Sequence, residues 1–206
     1  MSTPVLAIFI PTFIAVSLTP GMCMTLSMSL GMTIGVRRTF WMMYGELLGV
    51  GLVAGASVIG VAAAMMQYPA LFLLLKYLGG LYLCFLGGQL WFSRGKLALT
   101  AGSGIQVPST PGALALQGFV TAVANPKGWA FFIALLPPFI DRQQPLAAQM
   151  ALLLGLILMI EFLCLILYAG GGHTLNRLLQ RNNNLRLLNH IAGTLMVGVG
   201  VWLALG

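Results

Sequence analysis

Apolar residues fall along this chain in long runs, at roughly residues 4–35, 39–66, 70–92, 111–140, 146–172 and 187–205, separated by short polar breaks. About 20 predominantly apolar residues carry a helix across a bilayer core, so each run is long enough for a crossing. The pattern predicts an all-α integral membrane protein with six transmembrane helices. The first and fourth runs exceed the length of a straight span, and each is interrupted deep inside. Thr19-Pro20-Gly21 breaks the first and Asn125-Pro126-Lys127 breaks the fourth. Pro removes a backbone donor and disrupts the preceding turn. In lipid, the groups it frees are tolerated only where protein or a water-filled cavity surrounds them.

The longest polar stretch, 93–110, contains Gly, Ser and Pro and reads as a cytoplasmic linker between residues 1–92 and 111–206. Each half then holds three spans. An odd number per half requires the halves to lie in opposite orientations, so the expected architecture is two inverted three-helix repeats with broken helices 1 and 4. Gly80 and Gly87 in the third run, and Gly193 and Gly200 in the sixth, are spaced to share one helical face where another helix could pack closely. Pro20 lies about 16 residues in from the outer end of its run and Pro126 about 15 in from the inner end of its own. At 1.5 Å per residue both reach roughly 22–24 Å along their helices, near the membrane midplane once the overhang is subtracted. Two such breaks at matching places in two halves mark the binding site of a secondary transporter.

Composition supports this picture and charge orients it. With 59% hydrophobic and 6% charged residues and a mean hydropathy of +0.98, the chain reads as a single membrane domain over 1–206 with no soluble domain beside it. The start of the chain lacks the basic region of a cleaved signal peptide, so the first run is kept as a mature span. The net charge of +7 would suggest nucleic acid in a soluble protein. Here the basic residues cluster in the odd loops: Arg37 and Arg38, Arg94 and Lys96, and Arg177, Arg181 and Arg186. The even loops offer Arg142 beside Asp141, with Lys76 at the entry to the third run. The odd loops are therefore cytoplasmic, both termini face outward, and the expected partner is lipid with no nucleic acid. Residues 174–188 mix leucine with arginine as an interfacial helix would. Cys23, Cys84 and Cys164 are isolated and read as packing residues. His173 and His190 read as surface residues, and the Met22–Met32 run as adaptable packing near a cavity.

Charge inside the spans carries the candidate chemistry. Placing an ionised side chain at the bilayer centre costs at least about 2.5–3.5 kcal/mol, which makes such groups functional candidates. Glu161 sits mid-run with no charged neighbour in sequence, and Lys127 follows the second break at similar depth, as its ion-pair partner or as the group that meets an anionic substrate. Glu46 is only about 7 residues into the second run, within possible reach of the inner interface.

Four elements together resemble the LysE/RhtB family of amino-acid exporters: the Pro-Gly turn at Pro20-Gly21, the Gly45 to Gly49 pair, the Tyr77 to Gly87 run (Tyr-Leu-Gly-Gly-x-Tyr-Leu-x-x-Leu-Gly), and Asn125-Pro126-Lys127. The resemblance spans essentially the whole chain. It implies a small multi-pass protein of the bacterial inner membrane, an antiporter that exports amino acids on the ion gradient. Two departures stand out. The family's Pro-Gly-Pro turn is Pro20-Gly21-Met22 here, and the acidic residue many members place after the second Gly is Val50, with Glu46 one turn earlier.

The expected mechanism joins both lines. Thr19, Pro20, Gly21, Met22, Thr25, Asn125, Pro126 and Lys127 form the substrate site, where broken helix ends suit a zwitterion. Glu161 and Glu46 handle the coupling proton, and rocking of the halves alternates access. The scarcity of acidic residues favours a neutral amino acid or derivative. HExxH, CxxC and Gly-x-Ser-x-Gly are absent, so no enzyme and no cofactor is expected. A cation or metal-ion transporter of similar architecture is the alternative, and it would want several Asp, His or Cys ligands within the spans. The Gly-lined faces leave a homo-oligomer possible.

Overall fold

The computed structural model describes residues 3–67, 69–92, 110–136, 139–140, 144–180 and 182–205. These residues form helices α1 (Thr3–Leu18), α2 (Met22–Ile34), α3 (Val36–Gln67), α4 (Pro69–Phe92), α5 (Pro111–Val123), α6 (Pro126–Leu135), α7 (Leu146–Gln180) and α8 (Asn182–Leu205), and no strand is found among them. Val36–Gly60 and Leu146–Gly172 are long and apolar enough to cross a membrane. The pair Leu6–Leu18 and Met22–Ile34 adds a third candidate span, bent by 55° at its break.

Both interruptions fall where the sequence places them. At the first, Thr19 turns its N–H back to the Ala15 and Val16 carbonyls and its hydroxyl to the Ala15 carbonyl at 2.8 Å. Pro20, which cannot donate to the turn before it, ends the helix. At the second, Asn125 caps α6 and Pro126 takes its first position, where a missing N–H costs nothing. Thr110 and Pro111 open α5 in the same way. Between α2 and α3 the chain reverses at Gly35, whose φ of +79° is a backbone region L side chains rarely adopt.

Glycine brings the helices into backbone contact. A Cβ on Gly45 would lie 1.8 Å from the Ala115 carbonyl oxygen, and one on Gly118 would lie 2.0 Å from that of Met42, so α3 and α5 touch main chain to main chain. On α4 and α8, Gly87 faces Gly193 and Gly80 faces Gly200, with hypothetical Cβ atoms 2.6–2.7 Å from the opposing carbonyls. Those are the four glycines whose spacing predicts close packing. In lipid the hydrophobic effect offers little drive between helices, and such close van der Waals contact holds them instead. Gly31 meets Ala169 similarly, joining α2 to α7. Further contacts link α3 to α6 and α7, α4 to α6, and α1 to α8.

The centre is filled by Phe9, Phe13, Phe139, Met28, Met42 and Met43. Met24 and Met28 are buried while Met22 is 47% exposed, in keeping with packing use of the methionine run. The 93–109 linker, with Arg94 and Lys96, and Asp141 and Arg142 lie outside the described residues, as do the side chains of Lys76, His173, Arg177 and Arg181. Arg37, Arg38 and Arg186 are exposed. The backbone of α7 leaves helical geometry at Gly172 (φ 12°, ψ −100°), just before the stretch read as interfacial.

Valine at Gly45 has no space against the Ala115 backbone, whereas Gly55 has nothing within 4 Å of its own Cβ position. Gly45→Val is expected to prevent a monodisperse, thermally cooperative species in detergent, and Gly55→Val to leave elution and melting near wild type. Size-exclusion chromatography with a thermal melt checks both, and a well-folded Gly45→Val protein would contradict this packing.

Candidate functional site at the meeting of the broken helices

The end of α1 is tied down by side chains from distant segments. Lys127 Nζ on α6 donates to the Val16 carbonyl at 3.2 Å, and the Tyr168 hydroxyl on α7 donates to the Leu18 carbonyl at 2.6 Å. One residue away, Ser17 Oγ donates to Glu161 Oε2 on α7 at 2.8 Å. The last carbonyls of a helix have no intrahelical partner and carry the negative end of its dipole, which a lysine complements. The end of α5 is served locally, by Trp129 Nε1 donating to the Val123 carbonyl at 2.8 Å.

Between these ends lies a cavity lined by α1 (Phe13, Val16, Ser17), the first break and α2 (Thr19, Gly21, Cys23, Met24), α3 (Glu46, Val50, Val53), α5 and α6 (Ala122, Asn125, Lys127, Gly128, Phe131, Phe132) and α7 (Glu161). It offers about 60 Å³ to the centre of a water-sized sphere, where one water needs roughly 10–15 Å³. Several waters, or the charged head of a small zwitterion, would fit. Its walls differ in kind, since the phenylalanines and valines are apolar while the polar groups gather at the two breaks.

Six of the ten residues named from sequence line this cavity: Thr19, Gly21, Asn125, Lys127, Glu46 and Glu161. Pro20, Met22, Thr25 and Pro126 do not. Thr25 spends its hydroxyl on the Gly21 carbonyl at 2.5 Å, Met22 faces outward, and the two prolines shape the breaks. Glu46 is enclosed by protein and lines the cavity. It is fully buried, and neither of its carboxyl oxygens has a hydrogen-bond partner among the described residues. Its polar neighbours are Glu161 and Cys23.

Lys127 and Glu161 stay within Coulombic range of each other, yet each hydrogen-bonds to the end of α1. Asn125 is also committed. Its Oδ1 accepts from the Lys127 N–H at 3.1 Å and its Nδ2 donates to Cys23 Sγ at 3.8 Å. Cys23 therefore belongs to the polar cluster, where the sequence suggested packing alone.

The N-terminus of α2 is open by contrast. Its cap, Gly21, makes no side-chain hydrogen bond, and a Cβ there would stand 3.9 Å from Lys127 Nζ. Uncapped N–H groups beside an ammonium make an anion site. No group of three His, Cys, Asp or Glu among the described residues could hold a metal ion, which does not favour the metal-transporter alternative.

Comparison with known proteins gives this geometry a context. The family model described as LysE type translocator matches residues 14–206. The chain belongs to this family. A leucine efflux protein of Enterobacter sp. is 29% identical over 189 residues, covering 91% of this chain and 89% of its own length. A homoserine/homoserine lactone efflux protein of Salmonella typhi is 26% identical over 196 residues, covering 95% and 94%. An uncharacterized membrane protein of Vibrio cholerae is 28% identical over the same length, again covering 95% and 94%. No solved structure matches. Two of these relatives are thus named for efflux of an amino acid or its derivative, and the chain is a membrane translocator by family.

Sequence reasoning missed Ser17, Cys23, Trp129 and Tyr168. Of these, Tyr168 yields a clean test, because Tyr168→Phe removes only the hydroxyl that serves the Leu18 carbonyl. The variant is expected to lose about 1–3 kcal/mol, the cost of leaving the Leu18 carbonyl without its partner, seen as a lowered melting temperature with the helical content unchanged.

Proposed function

We propose that this chain is a secondary active transporter that exports an amino acid or close derivative, a neutral one by preference, across the bacterial inner membrane in exchange for protons. One observation carries the proposal: a single cavity holds two carboxyl groups, one lysine and an uncapped helix N-terminus where two broken helices meet. The relatives named for leucine and for homoserine efflux favour a neutral cargo.

In this mechanism the cargo's α-carboxylate binds the open N-terminus of α2 beside Lys127, where helix dipole and ammonium act together. Asn125 holds α6 and the neighbouring Cys23 in place. Glu161 and Glu46 carry the coupling proton. Residues 1–92 and 111–206 act as two inverted repeats that rock about the cavity, with both termini outside.

The helix contacts support that division. Exchanging spans one with four, two with five and three with six maps the α3–α5 contact onto α1–α7, α2–α7 onto α3–α6, and α3–α4 onto α7–α8. α4–α8 maps onto itself.

Counterflow of labelled leucine or homoserine into proteoliposomes, with and without an imposed pH gradient, tests this function. Wild type should show gradient-stimulated flux and Glu161→Gln should lose the stimulation. Equal stimulation in both would remove Glu161 from coupling, and absence of any amino-acid flux in wild type would reject the cargo class. Gly21→Asp probes the carboxylate site separately. Its side chain would cap α2 and occupy the space beside Lys127, so the variant is expected to melt at or above wild type, by up to roughly 1 kcal/mol of added stability, while losing amino-acid flux.

A further inference from the structure

Glu46 is the group whose burial is least compensated. Its whole side chain is out of solvent and both oxygens lack hydrogen-bond partners among the described residues, although leaving a buried acceptor unsatisfied costs on the order of 1–3 kcal/mol. Each polar group around it also bonds elsewhere. Cys23 on α2 takes the Asn125 amide, Glu161 on α7 takes Ser17, and Lys127 on α6 takes the Val16 carbonyl. Against two carboxyl groups the described residues of the cavity supply one ammonium, one cation short of neutrality. Two of the chain's three acidic residues stand here, and the third, Asp141, lies outside the described residues.

We propose that the α-ammonium of the exported amino acid and the coupling proton occupy the same seat on the Glu46 carboxyl, one at a time. This deepens the transport function proposed above and rests on it. The seat lies within a zwitterion's reach of the carboxylate site, because Cys23, in the first turn of α2, is itself a neighbour of Glu46.

When the cargo arrives, its ammonium replaces the proton, which leaves to water. When the cargo departs, a proton must return before the empty carrier is neutral again. Exchange follows from the shared seat, one proton inward for each zwitterion outward. The cargo class narrows accordingly to molecules with a free, protonated amine. An N-acylated amino acid, which keeps the carboxylate and side chain, has no group for Glu46.

The test is ligand-induced thermal stabilisation of the purified full chain in detergent, titrated with leucine, homoserine and N-acetylleucine between pH 5.5 and 8.5. Binding to the folded state alone raises the melting temperature. In wild type, leucine or homoserine should stabilise while N-acetylleucine does not, and the apparent Kd should rise about tenfold per pH unit on the acid side, as competition by one proton requires. Glu46→Gln should fold, because it removes a buried unpartnered carboxyl, and it should lose the amino-acid shift at every pH. Glu46→Asp should keep a weakened shift with the pH dependence intact, and it covers the case in which the amide variant fails to fold.

A Glu46→Gln protein that binds leucine with the wild-type pH profile, or a wild type that binds N-acetylleucine as well as leucine, would overturn the shared seat while leaving the transport function standing. If no amino acid shifts the wild-type melt and none is carried in proteoliposomes, the function itself is wrong and the seat falls with it.

Discussion

A helix broken inside a membrane must find partners for the backbone groups it exposes, and the rest of this structure follows from how the first break finds them. The chain that follows serves only the Ala15 and Val16 carbonyls, through Thr19. The Leu18 carbonyl is served by Tyr168 and that of Val16 takes a further bond from Lys127, both more than a hundred residues away, while Glu161 holds the neighbouring Ser17. An unsatisfied polar group in lipid costs several kcal/mol, so these contacts fix where α6 and α7 stand relative to α1. The groups that complete the break are also the ionisable groups that line the cavity. Structure and site are therefore one arrangement, and a ligand that engages Lys127 or Glu161 acts on the end of α1 directly.

Such coupling needs a frame that does not yield elsewhere. The glycine contacts supply it, because helices in backbone contact leave no side chain between them to re-pack. α3 is pressed onto α5 through Gly45, Gly49 and Gly118, and α4 onto α8 through Gly80, Gly87, Gly193 and Gly200. Interfaces of this kind slide or separate as units, and rigid packing converts a small change at a site into a rearrangement of whole elements. Glu46 lies one residue from Gly45 on the tightest of these contacts, so its position is held by backbone packing and not by hydrogen bonds of its own.

Much of this was legible in the sequence because it depends on local chemistry. Pro20 and Pro126 cannot continue a helix, and glycines seven apart share a face whatever lies opposite. Which partner each group finds is a long-range matter, and there the sequence was mute. Counting residues into a span gave Glu46 a depth but not a neighbour, and nothing local distinguishes a glutamate at an interface from one that α5 and α7 enclose. Tyr168 and Ser17 look like ordinary span residues, since their hydroxyls matter only because α1 ends beside them. Lys127 and Glu161 were legible as a pair, but the helix end between them, which takes a hydrogen bond from one and gives one to the other, belongs to a third segment. Thr25 and Met22 were named for their closeness to the break, and the turn of α2 carries both away from the cavity.

The division of the cavity into polar and apolar walls has a consequence for selectivity. In the transport proposed above, the charged head of an amino acid would meet fixed, desolvated groups, where a mismatched partner leaves a buried charge unpaired and is rejected strongly. The amino acid's side chain would face Phe13, Phe131, Phe132, Val50 and Val53, which line the cavity, and an apolar pocket separates one methylene from the next by only about 1–3 kcal/mol. A site built this way is strict about the head and permissive about the tail. Relatives named for cargoes as different as leucine and homoserine can then share one arrangement at the breaks and differ in the apolar wall. Val50 illustrates the point, because it puts a hydrocarbon face where an acidic residue would meet a charged tail, one helical turn from the carboxyl of Glu46.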